Sequence, residues 1–289
     1  MFIFSKLYMN IQDLLSNDDF SNKKVLLKLM CFVLDTSKEH IMSHMEESVD
    51  GQDLEKIRGY YIEYNENKRP LEYIMGYVEI GDVRVKVNEN VLIPRPETEY
   101  MIESAVEFLD GKKDFVITDI GTGSGIIGVW VASKIGIEWN KWIFTDISEG
   151  ALWVAKMNFS EIIGDSRDVK FQIANLADFL LDTNEFTGSE NICILANLPY
   201  IPDETFENET SDHVKKWEPA LAFLGGDDGL DLYRIMLEQL KKFPWDNITA
   251  FFEMMGWQMD VLIKEFPEWS WEVVDTFHFN IKIVKAIKN

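Results

Sequence analysis

Asp119-Ile120-Gly121-Thr122-Gly123-Ser124-Gly125 is the stretch whose reading decides the fold. It follows Phe115-Val116-Ile117-Thr118, an apolar run with the character of a strand, and precedes Ile126 to Lys134, an apolar run compatible with a helix. Glycines let the backbone take positive φ and approach a ligand closely. A helix that begins here offers unpaired N–H groups to a carboxylate or phosphate. The stretch therefore reads as a nucleotide-type cofactor site at the edge of an α/β sheet. Its spacing, G-x-G-x-G, is neither the dinucleotide pattern G-x-G-x-x-G nor a P-loop, which needs Gly-Lys-Ser/Thr after its second glycine. Taken alone, such a turn reads equally well as a tight connection between a strand and a helix.

Two further strand ends add to it. Trp142-Ile143-Phe144-Thr145 is a second strand, ending in Asp146. This carboxylate lies roughly 20 residues beyond the glycine turn, where a ribose-binding acid is expected. Ser148-Glu149-Gly150 then opens a helix through Ala151, Leu152, Val154, Ala155 and Met157. A strand-end Asp also serves as a plain helix cap, but beside the glycine turn Asp146 points to ribose. The third strand, Ile192 to Ala196, ends in Asn197-Leu198-Pro199-Tyr200-Ile201-Pro202, with proline fixing the backbone just past the strand.

In this order, DIGTGSG, a strand-end Asp and N-L-P-Y resemble S-adenosylmethionine-dependent methyltransferases that act on planar amino or amide nitrogens. VLIPRPETE (Val91 to Glu99), RPLEYIMGYVEI (Arg69 to Ile80) and EPALAFLGGDDGLDLYR (Glu218 to Arg234) narrow the resemblance. Together they are similar to the HemK/PrmC family, which methylates the glutamine side-chain amide in the GGQ loop of peptide-chain release factors. The similarity runs from roughly Arg69 to the C-terminus. It implies an α/β fold: a Rossmann-like class I methyltransferase sheet with a small N-terminal helical bundle. It implies S-adenosylmethionine as cofactor, held by Gly121, Thr122, Gly123, Ser124, Gly125, Asp146, Asn175, Leu176 and Asn197. It also implies that Asn197, Leu198, Pro199 and Tyr200 hold the substrate amide, with Asn197, Pro199 and Tyr200 the catalytic set. In that scheme the Asn197 side-chain oxygen and the Leu198 carbonyl each accept an amide N–H, Pro199 fixes the turn and Tyr200 stacks on the flat amide. The family commonly has proline where this chain has Leu198. A main-chain carbonyl survives that change.

N-L-P-Y also occurs in methyltransferases that modify adenine in RNA or DNA, because an adenine amino group presents the same planar nitrogen. VLIPRPETE and EPALAFLGG weigh against that reading, and so does charge. The net charge is −22, with 13 acidic against 9 basic side chains in residues 1–75 and 37 against 19 thereafter. Such a surface repels a phosphate backbone, whose binding requires Lys and Arg, and suits a protein partner or small ligand. A non-catalytic module retaining the fold would not need intact glycine, Asp and Asn-Pro-Tyr elements. With 46% hydrophobic and 27% charged residues, the composition is that of a soluble globular protein. Cys31 and Cys193 lack metal or redox spacing and suit a reducing cytoplasm. MFIFSKLYMN is too short and poorly flanked for a signal peptide, and no run reaches the length of a membrane span.

Three segments are expected: an N-terminal helical substrate-recognition domain over 1–75, a hairpin linker over 76–92 and a catalytic domain over 93–289. Leu7, Ile11, Leu14 and Leu15 recur at helical spacing, as do Val25, Leu26, Leu29, Met30 and Val33. Asp50 or Asp53 caps a helix through Leu54, Ile57, Tyr60 and Tyr61. The gripping of the release factor by this domain is implied by the resemblance alone. His40 and His44 share a helical face, but without a third ligand they predict a solvated surface, and no metal is expected. Tyr77 to Val87 alternates around Gly81-Asp82 as a hairpin, and Ile93-Pro94-Arg95-Pro96 is a rigid strap. Val169 to Ile173, Ala250 to Glu253, Trp271 to Val274 and Ile281 to Ala286 read as strands, and Leu232 to Leu240 as a helix. Gly225-Gly226-Asp227-Asp228-Gly229 lacks the spacing of a calcium loop and reads as a turn.

Overall fold

The computed structural model describes residues 9–166, 168–181, 186, 190–243, 247–277 and 280–288. The chain forms two compact units, Met1–Gly76 and Tyr77–Asn289.

In the smaller unit, β1 (Met9–Asn10) leads into α1 (Ile11–Ser16), followed by α2 (Lys23–Val33), α3 (Lys38–Ser43), β2 (Ser48–Val49), α4 (Gly51–Asn65) and α5 (Leu71–Met75). The apolar stripes anticipated from helical spacing supply most of its core: Leu14, Leu26, Leu29, Met30 and Ile57 are fully buried, joined by Ile41 of α3, which no stripe had marked. Asp50 caps α4, accepting from the backbone N–H groups of Gln52 and Asp53. The pairing of β1 with β2, Met9 opposite Val49, was not anticipated. Two-residue strands are too short to show a period of two. Leu7 lies outside the described residues.

The larger unit opens with the hairpin β3 (Tyr77–Ile80) and β4 (Val83–Lys86), paired from Tyr77 opposite Lys86 to Ile80 opposite Val83. Ile80, Val83 and Val85 belong to the same buried cluster as Met101 and Trp130, so the hairpin is built into this unit's core. After the Ile93–Pro96 strap come α6 (Thr98–Leu109), β5 (Phe115–Ile120), α7 (Ile126–Ile135), β6 (Lys141–Asp146), α8 (Glu149–Ile162), β7 (Val169–Ile173) and β8 (Asn191–Ala196). Then follow α9 (Asp203–Glu209), α10 (Asp212–Trp217), α11 (Asp231–Lys241), β9 (Ile248–Met255), α12 (Gly256–Glu265), β10 (Trp269–Thr276) and β11 (Ile281–Lys288).

Seven strands form one sheet in the order β10-β11-β9-β8-β5-β6-β7. β5 to β9 run parallel; β11 lies antiparallel to both β9 and β10. This is the mainly parallel sheet with a terminal antiparallel hairpin that the βα alternation predicts. Successive residues of β8 point to opposite faces: Ile192, Ile194 and Ala196 enter one buried cluster, Cys193 and Leu195 the other. Strand β8 is therefore continuously apolar, as a strand covered on both faces must be.

Helix α7 sits unusually close to the sheet. A Cβ at Gly128 would fall 2.4 Å from Phe144 Cε1 and 3.0 Å from Asp119 Oδ2. Gly128→Ala is therefore expected to overpack this contact and to destabilise the protein by about 1–3 kcal/mol. Urea unfolding is the check, and an unchanged midpoint would show that the helix tolerates standing further off.

Candidate active site

The order of strands sets where a site forms. Chain connections leave β5 toward β6 on one side and β8 toward β9 on the other. A crevice opens outside the carboxyl ends of neighbouring strands at such a reversal. The glycine turn follows β5 and the Asn197 turn follows β8, so both line one pocket.

Gly121, Gly123 and Gly125 all have positive φ, at 67°, 54° and 82°. Two carboxylates, the buried Asp119 and the half-buried Asp146, hold the turn in this shape. Asp119 Oδ2 accepts from Thr122 Oγ1 at 2.7 Å and from the Gly128 N–H at 3.0 Å, tying the strand end to the turn and to the start of α7. Burial pushes Asp119 up to about 6 against these two bonds. Asp146, at the end of β6, accepts from the Gly123 N–H through Oδ2 at 3.0 Å and from the Ser148 N–H through Oδ1 at 2.9 Å. Burial raises its pKa, opposed by those backbone bonds. Ser148 caps α8 through the Ala151 N–H.

The pocket brings Gly121, Thr122, Gly123, Ser124, Asp146, Asn175, Leu176, Asn197, Leu198 and Pro199 together. Gly125 does not line it: as the N-cap of α7 it packs on the next helix, where a Cβ would meet Ala155 at 3.1 Å. Leu176 adopts the left-handed region, φ 58°, uncommon for a branched side chain and frequent at functional sites. Tyr200 is also absent from the lining. Its Oη donates to Glu253 Oε1 at 2.9 Å, so the ring is anchored beneath the turn. The Leu198 carbonyl lies 3.3 Å from the buried Tyr233 hydroxyl, whose shorter contact, 2.5 Å, is to the Glu253 carbonyl.

The pocket suits a nucleoside cofactor on its own chemistry. Each Asp146 oxygen has one partner among the described residues and keeps acceptor capacity for a diol. The apolar Ile147, Ala174 and Leu176 stand beside it where a flat base would pack.

Several residues that build the site escaped sequence reasoning. Glu218 is 5% exposed and joins two segments 123 residues apart, accepting from Arg95 Nη2 at 2.7 Å and from the Ile93 N–H at 3.0 Å. It thereby locks the proline strap against the EPALAF segment, both of which line the pocket. Gln258, fully buried, donates to the carbonyls of Tyr200 and Asp228 at 2.8 and 3.0 Å. A Cβ at Gly229 would lie 2.1 Å from the Tyr200 carbonyl oxygen, so the glycine-acid turn is the close-packed support of the Asn197 turn. Its Asp228 forms a two-point pair with Arg234, at 2.8 and 2.7 Å. Glu253 had a partial signal, as the one acid in the apolar run of β9.

On the smaller unit, Glu47 lies beside His40 and His44, the third neighbour that the sequence did not reveal. All three are exposed. His40 Nε2 pairs with Glu47 at 3.5 Å and His44 Nδ1 bonds to Ser43 Oγ and the His40 carbonyl, so these contacts need no ion. No helix among the described residues is long and apolar enough to cross a membrane.

No family model matches the chain. Relatives do. A release factor glutamine methyltransferase of Bacillus cereus is 33% identical over 254 residues, which span 85% of this chain and 86% of that protein. The Lactococcus lactis protein of the same name is 34% identical over 212 residues, 73% of this chain and 72% of that one. Among solved structures, the hMettl16 catalytic domain in complex with the MAT2A 3′UTR hairpin 6 matches with a TM-score of 0.51 over 84% of each chain. Its 11% identity makes that a likeness of fold alone, the Rossmann-like class I methyltransferase fold. Identity at this level over most of both chains settles descent: the chain belongs to the release factor glutamine methyltransferase family.

Proposed function

We propose that this chain is a cytoplasmic, S-adenosylmethionine-dependent enzyme that methylates the glutamine side-chain amide in the GGQ loop of peptide-chain release factors. The observation that carries the reading is a single pocket into which the glycine turn, Asp146 and the Asn197 turn all open, on a chain of this family. Its acidic surface suits a protein substrate better than nucleic acid.

Bound in the pocket, S-adenosylmethionine supplies a methyl group activated by its sulfonium. The protein's task is set by the acceptor. An amide nitrogen delocalises its lone pair into the carbonyl and is a poor nucleophile, so holding it in line matters most. Orientation of this kind contributes several kcal/mol, up to about 7–11 in ideal intramolecular cases. Asn197 Oδ1 and the Leu198 carbonyl accept the two amide N–H groups, turning the nitrogen into the pocket and stabilising positive charge that develops on it. Pro199 keeps the turn from relaxing. Asp146 would hold the cofactor's ribose hydroxyls, the backbone of Gly121 to Ser124 would bind beside it, and Asn175 and Leu176 would contact its base. The nitrogen's surplus proton leaves to water without a positioned base, because a cationic N-methylated amide is a strong acid. The Met1–Gly76 unit recognises the body of the release factor.

Four outcomes are expected. Asp146→Ala removes charged hydrogen bonds of about 1.5–3 kcal/mol, so calorimetry should show S-adenosylmethionine bound roughly 10- to 150-fold more weakly. An unchanged dissociation constant would take Asp146 out of the site. Asn197→Ala removes one acceptor and, by analogy with loss of an oxyanion-hole donor, should slow transfer by about 100- to 1,000-fold, with far less effect on cofactor affinity. Labelled methyl should enter a release factor, disappear when its GGQ glutamine becomes alanine, and stay out of adenine-containing RNA. Label in RNA and none in the release factor would replace glutamine by adenine as the acceptor. Finally, deletion of residues 1–75 should spare cofactor binding and impair methylation of a whole release factor more than that of a short GGQ peptide, which has few remote contacts to lose. Equal impairment of both would end the recognition role of that unit.

A further inference from the structure

Glu253 is a buried acid that the reaction as described above does not use. It sits on β9, one residue past the register pair Ala196 and Phe252, so parallel pairing brings it beside Asn197. It is 1% exposed. One oxygen, Oε1, accepts from Tyr200 Oη at 2.9 Å. The other, Oε2, is buried and makes no full hydrogen bond among the described residues. Asn197 and Thr98 face the carboxylate closely enough to lower its pKa, and Asn197 Nδ2 lies 3.5 Å from Thr98 Oγ1. Asn197 itself lines the pocket; Glu253 does not.

An asparagine carboxamide presents two ends of almost equal shape, one accepting and one donating, and its surroundings decide which way it faces. An ionised carboxylate only accepts. We propose that Glu253 is the positioning residue that turns the Asn197 carboxamide, drawing its NH2 inward so that its oxygen faces the substrate. This rests on the reading of Asn197 as the acceptor of the substrate N–H. Tyr200 has already committed its proton to Oε1, which leaves Oε2 as the acceptor for Asn197. Thr98, whose hydroxyl accepts or donates equally, follows either orientation.

Protonation would reverse the effect, since a neutral Glu253 can donate to Asn197 Oδ1 and favour the flipped amide. Burial pushes Glu253 up to about 7, opposed by the Tyr200 hydroxyl and assisted by the charge of Glu97 from the segment before α6. Tyr233, from α11, spends its proton on the Glu253 carbonyl and stays neutral. These are the titratable groups facing Glu253 from the turn, from the segment before α6 and from α11. The competent, ionised form is therefore populated above about pH 7 and lost below it.

The test uses the full chain as wild type and as Glu253→Gln, Asn197→Asp and the double variant, assayed on whichever acceptor the wild type labels. Glu253→Gln offers an NH2 where a carboxylate stood. By analogy with partners that orient metal ligands, where loss costs about 10- to 100-fold, the loss should be of that order and fall on kcat, with the dissociation constant for S-adenosylmethionine unchanged. The wild-type rate should drop below pH 7, and Glu253→Gln should lack that limb. Asn197→Asp sets two carboxylates against each other and should be the poorer single variant, whereas adding Glu253→Gln gives Asp a donor and should restore activity. Wild-type kcat and pH profile in Glu253→Gln, or a double variant no better than Asn197→Asp, would overturn the proposal. Melting temperatures test the pairing without substrate: at pH 8 Asn197→Asp should be less stable than the double variant, and equal values would count against it. A wild type that labels adenine rather than glutamine defeats the substrate reading alone, because the ratios among variants on adenine still decide the role of Glu253.

Discussion

Two neighbouring parallel strands whose connections depart in opposite directions leave a gap that no crossover helix covers, and here that gap lies between β5 and β8. The glycine turn, Asp146 and the Asn197 turn reach the pocket because a strand ends at each of them. The gap is narrow: a Cβ at Gly121 would lie 3.1 Å from Leu198 Cδ2, so the glycine turn and the Asn197 turn nearly touch across it. The two turns are thus held at fixed separation by the sheet itself. That is the geometry a transfer between two bound groups requires.

Holding those turns has a cost in stability. Asp119 and Glu253 are carboxylic acids placed where charge is poorly solvated, and burial raises them from 3.8 and 4.5 to about 6 and about 7. A raised acid binds a proton in the folded state that the unfolded chain has already released. Its contribution is complete below the unfolded value and is lost as pH rises through the folded one. Stability from these two groups therefore declines between roughly pH 4 and 7. Yet each works as a charged acceptor, Asp119 for Thr122 and the Gly128 N–H, Glu253 for Tyr200. The site gives up stability for acceptors of fixed direction, a trade often seen where activity and stability compete.

The legible part of this chain was the part encoded locally. Strand, glycine turn and helix around Asp119 follow from apolar runs and glycine spacing, and Asp146 and Asn197 from their places at strand ends. Helical stripes marked α2 and α4 for the same reason. What stayed hidden depends on which segments meet. Glu218 reads as one more charge in an acidic chain until the fold sets Arg95 and the Ile93 N–H against it. Gln258 and Tyr233 look like helix residues until their side chains reach the carbonyls of Tyr200 and Leu198. The Tyr200 hydroxyl meets its partner on β9 only because the sheet sets that strand beside β8.

Leu198, where the family commonly has proline, shows how that support changes the meaning of a motif. Proline would fix φ through its ring; leucine leaves the torsion free and must be restrained from outside. The side chain is 1% exposed and wedged against the glycine turn, which removes most of that freedom by packing. Around it, the Tyr233 hydroxyl stands at the Leu198 carbonyl, Gln258 binds the Tyr200 carbonyl, and Gly229 lets a second turn press against the same backbone. Rigidity that a ring would supply within one residue is distributed over α11, α12 and the glycine-acid turn. A turn restrained in this way depends on distant helices for its shape, so substitutions at Tyr233 or Gln258 act on the Leu198 and Tyr200 carbonyls from outside the pocket lining.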